Sequence, residues 1–225
     1  MDFPFDTAFR AHVAARCGSF RRDDTLADRT LKHAAVAITL VESEARDGQT
    51  AFLLTQRAAN LRAHGAQYAL PGGRCDPGET AVEAALRELH EELGVAANPA
   101  DVLGVLDDYP TRSGYLVTPV VVWAGRDAQI VPNPAEVAQA HRIPLAEIAV
   151  EEAISFAAIP ESDRPLVRLA ILGDYIHAPT AVPTIMPPIQ TQGCTCVIAT
   201  VTTTAINMPT APSMAYTSSP AAPVP

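Results

Sequence analysis

The chain has 225 residues, 48% of them hydrophobic, and a formal net charge of −9. That length suits one domain of ordinary size, and the apolar fraction is enough for a core. The acidic balance argues against sequence-independent nucleic-acid binding, which needs a dense basic surface, but leaves small anionic ligands open.

No apolar run is long enough for a membrane span. The opening MDFPFDTAFR has no basic stretch followed by an apolar core, so no secretory signal is expected. Cys17, Cys75, Cys194 and Cys196 form no disulfide framework, and a reducing cytoplasmic setting is the expectation. The pair Cys194 and Cys196 lacks a partner pair and makes a poor metal site.

In chain order, Phe5, Phe9, Val13 and Cys17 recur every four residues and predict a helix over 4–18. AAVAITLV (34–41) and TAFLLTQR (50–57) read as two strands joined by a polar, hairpin-like connection. GAQYALPGG (65–73) reads as a short strand ending in a turn, and 79–93 as a helix. DVLGVLDDY (101–109) and YLVTPVVVWA (115–124) read as strands. The loop between them, with a Tyr, two hydroxyl residues and an Arg, reads either as the lining of a substrate mouth or as an ordinary turn around Pro110 and Gly114, and Asp107 and Asp108 are assigned to the turn. NPAEVAQAH (133–141) predicts a helix with Asn133 as N-cap and Pro134 at its first position. A short strand follows near RIPLAEI (142–148). RPLVRLAIL (164–172) and DYIHA (174–178) predict a closing hairpin that turns near Gly173. Strands and helices in this order predict an α/β or α+β domain with a mixed sheet.

Beyond Asp174 the composition breaks: Tyr175 to Pro225 contains no Asp, Glu, Lys or Arg. Residues 181–225 read either as a low-complexity, disordered tail or as unselected sequence after a reading-frame shift near residue 181. The expected organisation is a helical extension over 1–30, a main domain over 31–180 and this tail.

The predicted helix over 79–93 carries Glu88, Glu91 and Glu92 within one turn. At about 100° per residue, Glu91 falls near −60° and Glu92 near +40° from Glu88. Ala85, Leu89 and Leu93 occupy the adjoining arc, which places the carboxylates at the edge of the buried side. Like charges at this spacing repel, and a solvated acidic face is the ordinary explanation. Arg87, which can hold one of them, and the glycine-rich turn PGGRCDPGE just upstream point elsewhere. Clustered carboxylates with a backbone carbonyl make a hard oxygen site suited to Mg²⁺ or Mn²⁺.

Gly73, Glu79 and the run Arg87-Glu88-Leu89-x-Glu91-Glu92-x-Gly94-Val95 stand at the spacing of the Nudix box, and this stretch resembles it at every fixed position. The resemblance implies an α/β/α sandwich with a mixed sheet. It also implies hydrolysis of a nucleoside diphosphate linked to another group. By the same resemblance Glu88 and Glu92 are the principal metal ligands, Glu91 assists, Gly73 offers its carbonyl, and Arg87 with Glu79 braces the site.

LLTQRAANLRAHGAQYALPGG (53–73) is similar to the motif that precedes the box in coenzyme A pyrophosphatases, a Nudix subfamily. It departs from that motif in the order Gly65-Ala66-Gln67 and in Leu70, where the subfamily has Phe. Arg57, Arg62, His64 and Gln67 are the candidate substrate-binding residues, since arginine suits bidentate phosphate contacts. The alternative reading has Arg57 end a strand and pair with a surface acid, and His64 cap a turn. ADP-ribose, other nucleoside diphosphate sugars and oxidised nucleotides are rival substrates. A non-catalytic nucleotide sensor and an inactive frame-shifted product are rival classes. Glu136 is read either as a further acid of the site or as a helix N-terminal Glu.

Overall fold

The structure, a computed structural model, describes residues 2–22, 30–59, 67–111, 113–150, 153–159 and 162–177. Segment 181–225, with Cys194 and Cys196, lies outside the described residues, as do Arg62 and His64.

Helix α1 (Thr7–Ser19) opens on Asp6, whose carboxylate accepts the Phe9 N–H at 2.7 Å. Phe9, Val13 and Cys17 are its buried stripe, as their spacing predicts. The strands that follow are β1 (Lys32–Glu42), β2 (Thr50–Arg57), β3 (Tyr68–Ala69) and β4 (Gly72–Arg74). Helix α2 (Ala81–Leu93) comes next, then β5 (Val102–Val105), β6 (Tyr109–Pro110), β7 (Tyr115–Trp123) and β8 (Val137–Pro144). A single helical turn, α3 (Leu145–Ile148), leads to β9 (Ile154–Ile159), β10 (Ser162–Ile171) and β11 (Asp174–His177).

Among the described residues β1 to β8 form one mixed sheet, with β1 and β7 parallel and the other pairs antiparallel. Side chains alternate across it. Ala35, Ala37, Val120 and Val122 face α2 with Ala85, Leu89 and Leu93. Ile38, Leu40, Val121 and Trp123 face the opposite layer, with α1, α3 and the buried Leu169 and Ile171 of β10. The result is the expected α/β/α sandwich. The segment expected as an N-terminal extension supplies its second helical layer: Phe3, Phe5 and Phe9 are buried, and Phe5 stacks on Trp123 at 4.4 Å.

One topological detail builds the site. Strands β1 and β2 pair only at one end, from Leu40↔Phe52 to Glu42↔Thr50. Beyond that they splay, and β3 and β4 fill the gap, β3 on β2 and β4 on β1. The Ala37 N–H donates to the Pro71 carbonyl at 2.8 Å inside the split.

Two expectations need correction. Residues 133–141 are not a helix. Asn133 does cap a turn, its Oδ1 accepting the Ala135 N–H at 3.1 Å, but the turn ends after Glu136. The chain then runs as β8 along β2, from Val137↔Arg57 to Pro144↔Ala51. Pairing with an otherwise open strand overrides the helical preference of the local Ala and Gln residues. The strand expected over 142–148 is correspondingly the end of β8 followed by α3. The closing hairpin forms as expected, turning at Leu172 and Gly173, which both have positive φ (55° and 77°).

Candidate active site

The loop into α2 is built from turn chemistry. Pro77 and Gly78 (φ 87°) form a turn closed by the Glu79 N–H on the Asp76 carbonyl at 3.0 Å. The Glu79 carboxylate reaches back to the Asp76 N–H at 2.8 Å. Thr80 and Glu83 then make a reciprocal capping box, and Gly94 in the left-handed region ends the helix (φ 66°).

Gly72 and Gly73 are glycines because of close approach. A Cβ on Gly72 would lie 2.3 Å from the Ala35 carbonyl oxygen of β1, and a Cβ on Gly73 would lie 2.1 Å from Glu88 Oε1. One glycine lets β4 lie on β1, and the next lets a carboxylate of α2 touch the β4 backbone.

Arg87 organises the acids around itself. Its Nε and Nη2 donate to the two oxygens of Glu79 at 2.9 and 3.0 Å, and its Nη1 donates to Glu88 at 2.9 Å and Glu91 at 3.0 Å. Nη2 also donates to the Arg74 carbonyl at 3.0 Å. These contacts use all five guanidinium donors. The hydrogen bonds to Glu79 raise the Arg87 pKa further, and the reciprocal bonds hold the Glu79 carboxyl below its ordinary value.

The three helix acids, expected together at the core's edge, divide by depth. Glu91 is half exposed, Glu88 is mostly covered, and Glu92 is inside the core at 3% exposure. Burial raises the Glu88 pKa in spite of Arg87. Burial, with repulsion from Glu88, pushes Glu92 up to about 7, although Arg57 and the Gly72 N–H oppose the shift. Arg57 Nη1 stands 3.8 Å from Glu92 Oε1, while Glu92 Oε2 is shielded from solvent with no hydrogen-bond partner.

A buried carboxylate oxygen without a donor, in a carboxyl that desolvation disfavours as an anion, fits a hard cation. Glu92, Glu88 and the adjacent Gly73 backbone are all-oxygen donors, which suits Mg²⁺ or Mn²⁺. Among the described residues no three acidic, imidazole or thiol side chains already surround one point as a finished cage. Arg87 draws Glu88 and Glu91 toward itself.

Glu136, left open by the sequence, comes to the site through the backbone. The Glu92 carbonyl accepts the Asn133 N–H at 2.8 Å, the Asn133 carbonyl accepts the Glu136 N–H at 3.0 Å, and the Glu136 carbonyl accepts the Ala58 N–H at 2.9 Å. Its charge raises the pKa of both Glu88 and Glu92. It sits in a turn before a strand, so its presence is not explained by a helix N-terminus.

Arg57 ends β2 as expected, but the acid it meets is Glu92 of the box and not a surface acid. Gln67 is exposed, and its carbonyl accepts the Arg57 N–H at 2.9 Å. Asp107 and Asp108, read as part of an ordinary turn, are buried. Asp108 accepts from Thr118 Oγ1 at 2.6 Å and pairs with Arg22. Only the folded chain brings Arg22 to it, so no local sequence signal marks this residue.

The sequence pattern described as "NUDIX domain" matches residues 31–168. An uncharacterized Nudix hydrolase NudL of Photorhabdus laumondii is 39% identical over 117 residues, covering 52% of this chain and 60% of that protein. One from Escherichia coli O7:K1 is 41% identical over 121 residues, covering 52% and 61%. Nudix hydrolase 3 of Caenorhabditis elegans is 40% identical over 106 residues, covering 45% and 44%. The chain therefore spans at most about three-fifths of the length of these relatives. Among solved structures, a MutT protein from Methanosarcina mazei aligns with a TM-score of 0.41 at 26% identity, covering 52% of this chain and 81% of that one.

Proposed function

From the premise that the chain belongs to the Nudix family, we propose that it is a metal-dependent hydrolase of a nucleoside diphosphate linked to another group, with coenzyme A or a derivative as substrate. The observation that carries the reaction class is the buried, unpartnered Glu92 Oε2, set beside Glu88 and the Gly73 backbone in a complete box. The choice of coenzyme A rests on the likeness of residues 53–73 to the subfamily motif.

Glu92, Glu88 and the Gly73 carbonyl would hold Mg²⁺ or Mn²⁺, with Glu91 assisting. When bound, such an ion supplies charge neutralisation on the diphosphate oxygens and a lowered pKa for water. The chain's own residues do the rest. Arg87 and Glu79 hold Glu88 and Glu91 in position and cost no reorganisation during reaction. Arg57 and the upstream Arg62, His64 and Gln67 are the proposed substrate contacts. Water adds to one phosphorus, and the bond from that phosphorus to the bridging oxygen breaks. Glu136, beside Glu88 and Glu92, is a further carboxylate able to receive the water's proton. No covalent enzyme intermediate is required.

The test is a substrate panel read by mass spectrometry, with Mg²⁺, Mn²⁺ and excess chelator. Coenzyme A is expected to give 4′-phosphopantetheine and adenosine 3′,5′-bisphosphate, and dephospho-coenzyme A is expected to react more slowly. Preference for ADP-ribose over coenzyme A would overturn the substrate, and full activity in chelator would overturn the mechanism.

A further inference from the structure

Glu92 has a cation beside it, but a poorly engaged one. Arg57 Nη1 lies 3.8 Å from Glu92 Oε1, too far for a hydrogen bond, and Oε2 has no partner at all. Arg87 cannot serve Glu92, because its five donors are committed to Glu79, Glu88, Glu91 and the Arg74 carbonyl. The backbone around Arg57 is fixed, with its own N–H on the Gln67 carbonyl and the Ala58 N–H on the Glu136 carbonyl. The side chain is 30% exposed, so its guanidinium can swing toward solvent without disturbing the strand. A fixed stem, a movable charge and a loose contact describe a placeholder rather than a lock.

We infer that Arg57 is the resident counter-cation of Glu92, that a divalent ion displaces it, and that the displaced guanidinium is thereby released to meet the substrate's diphosphate. This rests on the metal-dependent reading above. It deepens that reading by coupling the two ligands: the chain opposes the metal alone and favours metal and diphosphate together. Arginine suits the handover because its planar fork engages phosphate oxygens two at a time, a geometry the contact with Glu92 does not use.

The test is a Mn²⁺ titration of the full chain without substrate, read by electron paramagnetic resonance, for the unaltered protein, Arg57→Met and Arg57→Lys. Removing one positive charge about 4 Å from a ligand should tighten Mn²⁺ binding by roughly tenfold, and Arg57→Lys should stay close to the unaltered protein. In the unaltered protein, the Arg57 side-chain ¹⁵N resonance should shift when Mg²⁺ is added and again when inorganic pyrophosphate follows. This second measurement decides the matter should Arg57→Met fail to fold. Equal or weaker Mn²⁺ binding by Arg57→Met overturns the inference while leaving the metal site standing, as does an Arg57 resonance indifferent to Mg²⁺. An unaltered protein that binds no Mn²⁺ overturns the metal-dependent function and this inference together.

Discussion

Gly73 and Glu88 touch without a side chain between them: a Cβ on residue 73 would stand 2.1 Å from Glu88 Oε1. The atom displaced would be the tip of a flexible side chain, so the fold can yield while the carboxylate cannot keep its place. Gly73→Ala should therefore lose about a hundredfold or more in kcat/KM, the scale on which a misplaced site group acts. The melting temperature should move by only a few degrees. A variant that keeps normal activity would show that Glu88 need not lie against the β4 backbone.

Arg87 serves three carboxylates with one planar group. Arg87→Lys keeps the charge but cannot reach Glu79, Glu88 and Glu91 together. It should lose about tenfold or more in kcat and destabilise by about 1 kcal/mol, a figure kept small because the guanidinium is partly exposed. Glu79 is held below its ordinary pKa by Arg87. Its share of stability is present above the unfolded carboxyl value and fades as pH falls through the folded value, so urea melts of the two proteins should converge in acid.

Glu92 gives the opposite sign. Burial raises it to about 7 from an ordinary 4.5, so between those values the folded chain holds a proton that the unfolded chain has released. Stability of the metal-free protein should fall as pH rises through that window. In chelator, Glu92→Gln should be more stable than the unaltered chain near pH 8, by about 1–3 kcal/mol. The gain should shrink toward pH 5, as read from urea melts at both pH values. The same variant should have lost most of its activity, which would separate a site held for chemistry from one held for stability.

Asp108 is buried between Arg22 and Thr118. Asp108→Ala leaves the buried Thr118 hydroxyl without its acceptor, while the partly exposed Arg22 can turn to water, and should destabilise by about 1–3 kcal/mol. KM per folded molecule should stay unchanged, since the pairing ties the end of the α1 layer to the sheet. A variant with normal stability and an altered KM would place Asp108 in substrate binding.

Where neighbours in sequence are neighbours in space, the sequence by itself determined the outcome. The stripe of α1, the alternation of β1 and β7, the Pro77–Gly78 turn and the common face of Glu88, Glu91 and Glu92 all follow from local periodicity and backbone chemistry. So does the hairpin turning at Leu172 and Gly173. Only the tertiary structure decided what depends on distant partners. Residues 133–141 carry helix formers, yet the open side of β2 draws residues 137–141 into a strand, behind a turn that delivers Glu136 to the acids. The splay of β1 from β2 gives Gly72 and Gly73 their contacts. The depth of Glu92, its meeting with Arg57 and the burial of Asp108 against Arg22 likewise follow from packing. A side chain's charge is written in the sequence, but its desolvation depends on everything packed around it, and desolvation sets the chemistry of this site.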